Sequence, residues 1–255
     1  MKNKSHIKKV NCRRVFDSRG NPTIEVEIIT ENDSFGKAIS PSGASTGTNE
    51  VIEVRDNDNM FAGKDVKKAL EIINKKIAPN LIGLSCEDQN GFDNTLISLD
   101  KSVLKENIGG NVTTALSIAN YLCASNFNAE HTFIYHSESN KFFIPKPEIQ
   151  IFGGGAHANK NNTFQDFLIY PIVDLSCEDY FDSVYNITNT IKKKLVNNQN
   201  FFGYCDEGGL YPNNLDQFQI CDIINESIIK NKIIPGKEIG ISIDVAASNF
   251  YSNGI

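Results

Sequence analysis

The sequence predicts an α+β domain followed by an α/β domain, and three observations predict it. First, an alternating apolar and acidic run with a hairpin partner is followed by segments of helical spacing. Second, a polar and then proline-containing stretch, "SESNKFFIPK" at 137–146, interrupts the chain. Third, beyond that stretch strand-like runs alternate with helical ones, and polar groups fall at or just after the strand ends. The two domains are placed at 1–138 and 145–255.

In the first domain "TIEVEII" at 23–29 reads as a half-buried strand, and "FGKAIS" at 35–40 as its hairpin partner. The loop "PSGASTGT" at 41–48 holds no core residue. Val66, Ala69, Leu70, Ile73 and Ile77 then keep helical spacing, and Pro79 is expected to end that helix. Phe92, Leu96 and Leu99 mark a second helix. Leu116, Ala119 and Leu122 mark a third, after the glycine pair at 109–110.

In the second domain "PEIQIFGGG" reads as a short strand running into three glycines, and "FQDFLIYPIV" as another strand. Val184, Ile187, Ile191 and Leu195 mark a helix with the lysines 192–194 on its exposed side. Phe218, Cys221, Ile224 and Ile228 mark the next helix. "IGISIDVAAS" reads as a strand apolar on both faces, of the buried parallel kind, with Asp244 at its C-terminal end.

Composition narrows the function classes. The chain has 255 residues, 40% hydrophobic and 22% charged, with a formal net charge of −6. That suits a globular protein and gives no reason to expect nucleic acid or an anionic membrane as partner. No apolar run reaches the roughly 18 residues of a membrane span, and the basic N-terminus lacks the apolar segment of a secretory signal. The six cysteines are scattered without a CxxC pair, which reads as reduced thiols in a cytoplasmic protein.

Several polar residues stand out, each with a plain alternative. Asp206 and Glu207 lie in "YCDEGGLYPN", before a helix, where an ordinary acidic turn competes with a carboxylate held out for chemistry. Asp244 caps a following helix or serves as a hard-oxygen ligand for a divalent metal. His157 in "GGGAHAN" is a structural hydrogen-bonder or lies in a site; the dinucleotide-binding glycine spacing is absent. Ser45 sits in a solvated turn or in a lid that closes over a site.

Taken together, "VFDSRGNPTIEVEI", "PSGASTGTNEVIEVRD", "GGGAHAN", "FQDFLIYP", "CDEGGLYPN" and "DVAASNFY" resemble the motifs of the enolase family, in that family's order. These are the phosphopyruvate hydratases of glycolysis. The resemblance runs from about residue 10 to residue 251. It implies an α+β N-terminal cap domain plus the first part of an enolase-type α/β, TIM-like barrel that opens with two antiparallel-type strands. The barrel is incomplete in this chain, since 145–255 is less than half the about 250 residues of a complete one.

The resemblance also implies roles. Ser45 would close over substrate and reach a second Mg²⁺, and His157 would lie beside the substrate phosphate and leaving group. Gln165 and Asp166 would form the substrate-site pair, Glu207 would be the general acid for the C3 hydroxyl, and Asp244 would be the first of three carboxylates on the tighter Mg²⁺. The implied reaction is Mg²⁺-dependent dehydration of 2-phosphoglycerate to phosphoenolpyruvate, by a dimer. A second chain completing the barrel, a fragment of a longer protein, and a truncated inactive relative are the three explanations for the shortened barrel. In each the 255 residues alone are expected to be inactive, because the family's lysine base and remaining metal carboxylates find no place in them.

Three departures point to the alternatives. Asp166 stands where the family has Glu, Asn249 replaces a usual Glu, and "SLDKSVLKENIGGNV" lacks the family's glycine pattern. A diverged paralogue of the carboxyphosphonoenolpyruvate synthase kind would fit them; a non-catalytic binding or scaffold protein is a separate alternative that the resemblance leaves open.

Overall fold

The computed structural model describes residues 4–41, 43, 46–139, 141–155, 161–249 and 251, with the side chains of 161–163 and 249 outside the description. The chain divides into two compact units, Met1–Lys141 and Phe142–Ile255.

The first unit is a three-stranded antiparallel sheet with helices packed on it. Its strands are β1 (Ile7–Phe16), β2 (Pro22–Thr30) and β3 (Phe35–Ile39), in the order β1-β2-β3. β1 carries no simple alternation, and the sequence reading passes over it. Its buried Ile7 and Val10 are separated by polar and basic residues that edge strands tolerate.

β2 is read as half-buried and is instead buried along most of its length, Glu25 included. It is the central strand, and the Glu25 carboxylate is covered by ion pairs to Arg13 on β1 and to Lys37 on β3, the latter at 3.7 Å. A buried carboxylate is tolerated when cations on both flanks meet it.

Helices follow at α1 (Lys67–Ile72), α2 (Ala78–Leu81), α3 (Gln89–Leu99), α4 (Gly110–Phe127) and the short α5 (Thr132–Tyr135). Pro79 does not end the helix at 66–77. A π turn, Ile73–Ile77, separates α1 from α2, and Pro79 sits at the start of α2, where a proline is tolerated. Asp88 caps α3 by accepting from Gly91 N at 2.9 Å. Val112, Ala115, Leu116, Ala119 and Cys123 of α4 are buried in the same apolar core as Ile24, Val26 and Ile28 of β2.

The second unit is a five-stranded open sheet in the order β6-β7-β4-β5-β8, with two helices. The strands are β4 (Ile149–Gly155), β5 (Asn161–Pro171), β6 (Phe201–Tyr204), β7 (Leu210–Pro212) and β8 (Ile239–Asp244). The helices are α6 (Cys177–Asn197) and α7 (Gln217–Lys230). β5 runs antiparallel to β4 and to β8, while β4 and β7 are parallel. The two opening strands are therefore antiparallel, as the resemblance implies, and the described strands form part of a barrel wall without closure.

One face of this sheet is apolar. Phe152, Phe167, Ile169 and Ile239 pack with Val184, Ile187, Ile191 and Leu195 of α6 and with Ile220, Ile224 and Ile228 of α7. Val184, Ile187, Ile191 and Leu195 are the stripe that the spacing predicts. Phe218 is not on the buried stripe of α7 but 73% exposed, because Asp216 closes a capping box with Gln219 and places Phe218 on the outer side of the first turn. β8 is neither parallel to its neighbour nor buried on both faces. Among the described strands it borders β5, and burial falls from Ile239 to an exposed Ile243 and Asp244.

Candidate active site

The opposite face of the sheet carries the polar groups. In an antiparallel pair, directly opposed residues point to the same face. The register opposes Asp166 to Gly153 on one side and to Asp244 on the other. A β-bulge between Gln150 and Phe152 shifts the alternation of β4, so that Gln150 also turns to the Asp166 face.

Asp206 and Glu207 lie in the turn of the β6–β7 hairpin, not before a helix; α7 starts at Gln217. The strands are only four and three residues long, too short for their alternation to register in the sequence. The turn is closed by Gly208 N donating to Cys205 O at 3.0 Å and Cys205 N to Gly209 O at 2.9 Å. Gly208 has φ +91°, a conformation that side chains disfavour. The acidic-turn reading is thus correct as geometry, and the same turn brings Glu207 within hydrogen-bond reach of Gln150 on β4.

Gln150 joins the groups. Its Nε2 donates to Glu207 Oε2 at 3.1 Å and, at close range, to Asp166 Oδ1. Its Oε1 accepts from Gly209 N at 3.0 Å and from the Cys205 thiol at 3.2 Å. Asp166 is 9% exposed, so this donor compensates much of the cost of burying its charge. Burial pushes the Cys205 thiol up, so it remains a neutral donor.

Asp244 ends β8 and is exposed. Its Oδ1 accepts from Ala246 N at 2.8 Å, an Asx-type turn leading into the short 3₁₀ turn Ala247–Asn249. This is close to the capping reading of that residue. The bond helps hold Ala246 in the left-handed region at φ +50°. The other oxygen, Oδ2, accepts from Gln165 Nε2 at 3.3 Å. Gln165 is itself buried, and its Oε1 has no hydrogen-bond partner among the described residues.

Four residues singled out in the sequence, Gln165, Asp166, Glu207 and Asp244, thus meet at one end of the sheet. Ser45 and His157 lie outside the described residues. Two site residues escape the sequence reading, Gln150 and Cys205. Gln150 leaves one faint signal: it is the single polar residue in the apolar run "IQIF". Among the described residues no three metal-ligating side chains cluster. Two carboxylates facing each other across paired strands repel, which a bound cation would relieve.

Comparison with known proteins places these features. Residues 7–135 match the enolase N-terminal domain, and residues 141–254 the enolase C-terminal TIM barrel domain. The enolases of Lactobacillus acidophilus and Lactobacillus helveticus are each 39% identical over 249 residues. The match covers 98% of this chain and 58% of either relative, so the chain spans well under two thirds of their length. With both of its units matched to the two domains of one family, the chain belongs to the enolase family.

Proposed function

We propose that residues 1–255 supply the acid side of an enolase site, which dehydrates 2-phosphoglycerate to phosphoenolpyruvate in glycolysis. The observation that carries this reading is the meeting of Glu207 and Asp166 through one amide, with Asp244 opposed to Asp166 in the next strand. Hydroxide is a poor leaving group, and a carboxyl held beside it donates the proton it needs. Glu207 is placed in this role, at the tip of a short hairpin that fixes its backbone. Asp166 and Gln165 line the substrate side, with His157 at the phosphate and Ser45 in the closing loop.

Removal of a proton next to a carboxylate leaves a dianion, and that charge needs cations. The donor set fits one corner of a Mg²⁺ site: a hard carboxylate oxygen of Asp244 at an exposed strand end, next to the buried carbonyl oxygen of Gln165, which has no hydrogen-bond partner among the described residues. Asp244 would hold the tighter ion and Ser45 would reach the second. When bound, Mg²⁺ supplies positive charge to the carboxylate of the substrate. In this reading no residue of 1–255 takes the C2 proton, and the site is completed in a homodimer-forming full-length chain or by a second chain.

The test is complementation. The 255-residue chain is assayed for phosphoenolpyruvate formation alone, and after mixing with the remaining C-terminal segment of the Lactobacillus acidophilus enolase. The chain alone is expected to turn over nothing. The mixture is expected to be active, and Glu207→Gln to lower its kcat by about 10²–10⁴-fold. Activity unchanged by Glu207→Gln would remove Glu207 as the acid.

A further inference from the structure

We infer that Gln150 is a positioning residue, whose side-chain amide clamps Glu207 and Asp166 into one unit and locks the 205–209 turn to β4. The catalytic meaning of this clamp rests on the dehydration reading above; the clamp itself does not.

The geometry is that of a fully used amide. A glutamine side chain offers two N–H donors and a carbonyl with two lone pairs. Both donors are spent on carboxylates, from Asp166 on β5 and Glu207 in the hairpin turn. Both lone pairs are spent on donors, Gly209 N at 3.0 Å and the Cys205 thiol at 3.2 Å. The partners also settle which way the amide points. Turned over, it would set NH₂ against an N–H donor and a carbonyl against two carboxylates. Gly209 belongs to the same device, because a Cβ there would lie 2.4 Å from Gln150 Oε1.

The consequence is chemical. Two carboxylates that share a site repel, and the distance between them is set by whatever stands between them. A donor to both holds them at a fixed separation and keeps Glu207 aimed toward the face that Asp166 and Asp244 occupy. Without it, the turn loses a side-chain tie to β4 beside the Phe152–Leu210 pairing, and Glu207 loses the bond that joins it to Asp166. A misplacement of about 1 Å costs on the order of 10²-fold in rate. Gln150 touches acids rather than substrate, so kcat should fall much more than KM changes.

Two variants and one observation on the unaltered chain test this. In the unaltered chain, the NH₂ protons of Gln150 should exchange with solvent at least about 10-fold more slowly than those of an exposed glutamine, because both are hydrogen-bonded. Gln150→Met keeps the volume and removes all four bonds. It should speed exchange of the Gly209 N–H about 10-fold or more, and lower kcat of the complemented enzyme on the order of 10²-fold. Gln150→Glu keeps an acceptor for Gly209 but, even protonated, has a single donor and cannot bond both acids. It should leave Gly209 protected yet lose kcat as Met does.

Fast-exchanging NH₂ protons in the unaltered chain, or a Gly209 N–H indifferent to Gln150→Met, would overturn the clamp whatever the activity. Wild-type turnover in Gln150→Glu would overturn the positioning role. A complemented wild type that makes no phosphoenolpyruvate would sink the dehydration reading instead, with the exchange data still deciding the clamp.

Discussion

Alanine at position 208 and alanine at position 209 should fail for different reasons. Gly208 has φ +91°, and a Cβ there would meet nothing within 4 Å. Gly208→Ala therefore costs backbone strain alone, about 1–2 kcal/mol. Gly209 has no positive φ, but its added Cβ would lie 2.4, 2.9 and 3.1 Å from Oε1, Cδ and Cγ of Gln150. All three atoms belong to one flexible side chain, so Gln150 swings aside and the backbone stays. The amide then gives up its bonds to two carboxylates, Gly209 N and Cys205. Most of these groups can turn to water. Buried Asp166 cannot do so fully, and one charge-assisted bond left unmade sets the scale, about 1.5–3 kcal/mol. The two variants thus cost similar stability in urea unfolding followed by far-ultraviolet circular dichroism. They should separate in the Gln150 amide: slow-exchanging NH₂ protons persist in Gly208→Ala and vanish in Gly209→Ala. Protected Gln150 protons in Gly209→Ala would refute the steric argument, and their loss in Gly208→Ala would refute the division of labour between the two glycines.

Two further outcomes concern stability. Burial works to raise the Asp65 carboxyl, but hydrogen bonds from Arg14 and Val66 N and the charges of Arg14 and Lys67 outweigh it and hold it below the usual range. Burial likewise opposes ionisation of Asp100, and bonds from Ser102 and Asn107 overcome it and hold that carboxyl far down. A depressed folded value means stability that is present above the unfolded value of about 3.9 and is lost as pH falls through the folded value. Acid titration of stability should therefore fall steeply below about pH 4, and Asp65→Asn or Asp100→Asn should flatten that fall; an unchanged slope would contradict the assignment. Tyr180→Phe removes a buried hydroxyl that donates to Ile169 O at 2.7 Å, and should lower unfolding free energy by about 0.5–1.5 kcal/mol; no loss in urea unfolding would show that this carbonyl finds another donor.

The elements legible in the sequence are those whose stability comes from their own periodicity. The stripe Val184, Ile187, Ile191 and Leu195 of α6 is one, and all four are buried as spaced. What escaped is decided by partners far along the chain. Glu25 looks like the solvent side of a strand until Arg13 and Lys37 flank it. Pro79 looks like a stop until a π turn precedes it. β6 and β7 are strands because they pair with each other and β7 pairs with β4, not because seven residues alternate.

The site divides in the same way. Acids at strand ends are visible in one dimension, and so is the order of the six motifs. Gln150 is invisible there because its partners stand 16 and 57 residues away, on β5 and in a hairpin turn. The motif "CDEGGLYPN" accordingly has two kinds of content. Asp206, Glu207 and Gly208 form a turn on local grounds, which any acidic turn could share. Gly209 is fixed by a residue on another strand, since its missing side chain is the space that Gln150 Oε1 fills. The second glycine, rather than the acids, is what fits this turn against Gln150 and so joins it to Asp166.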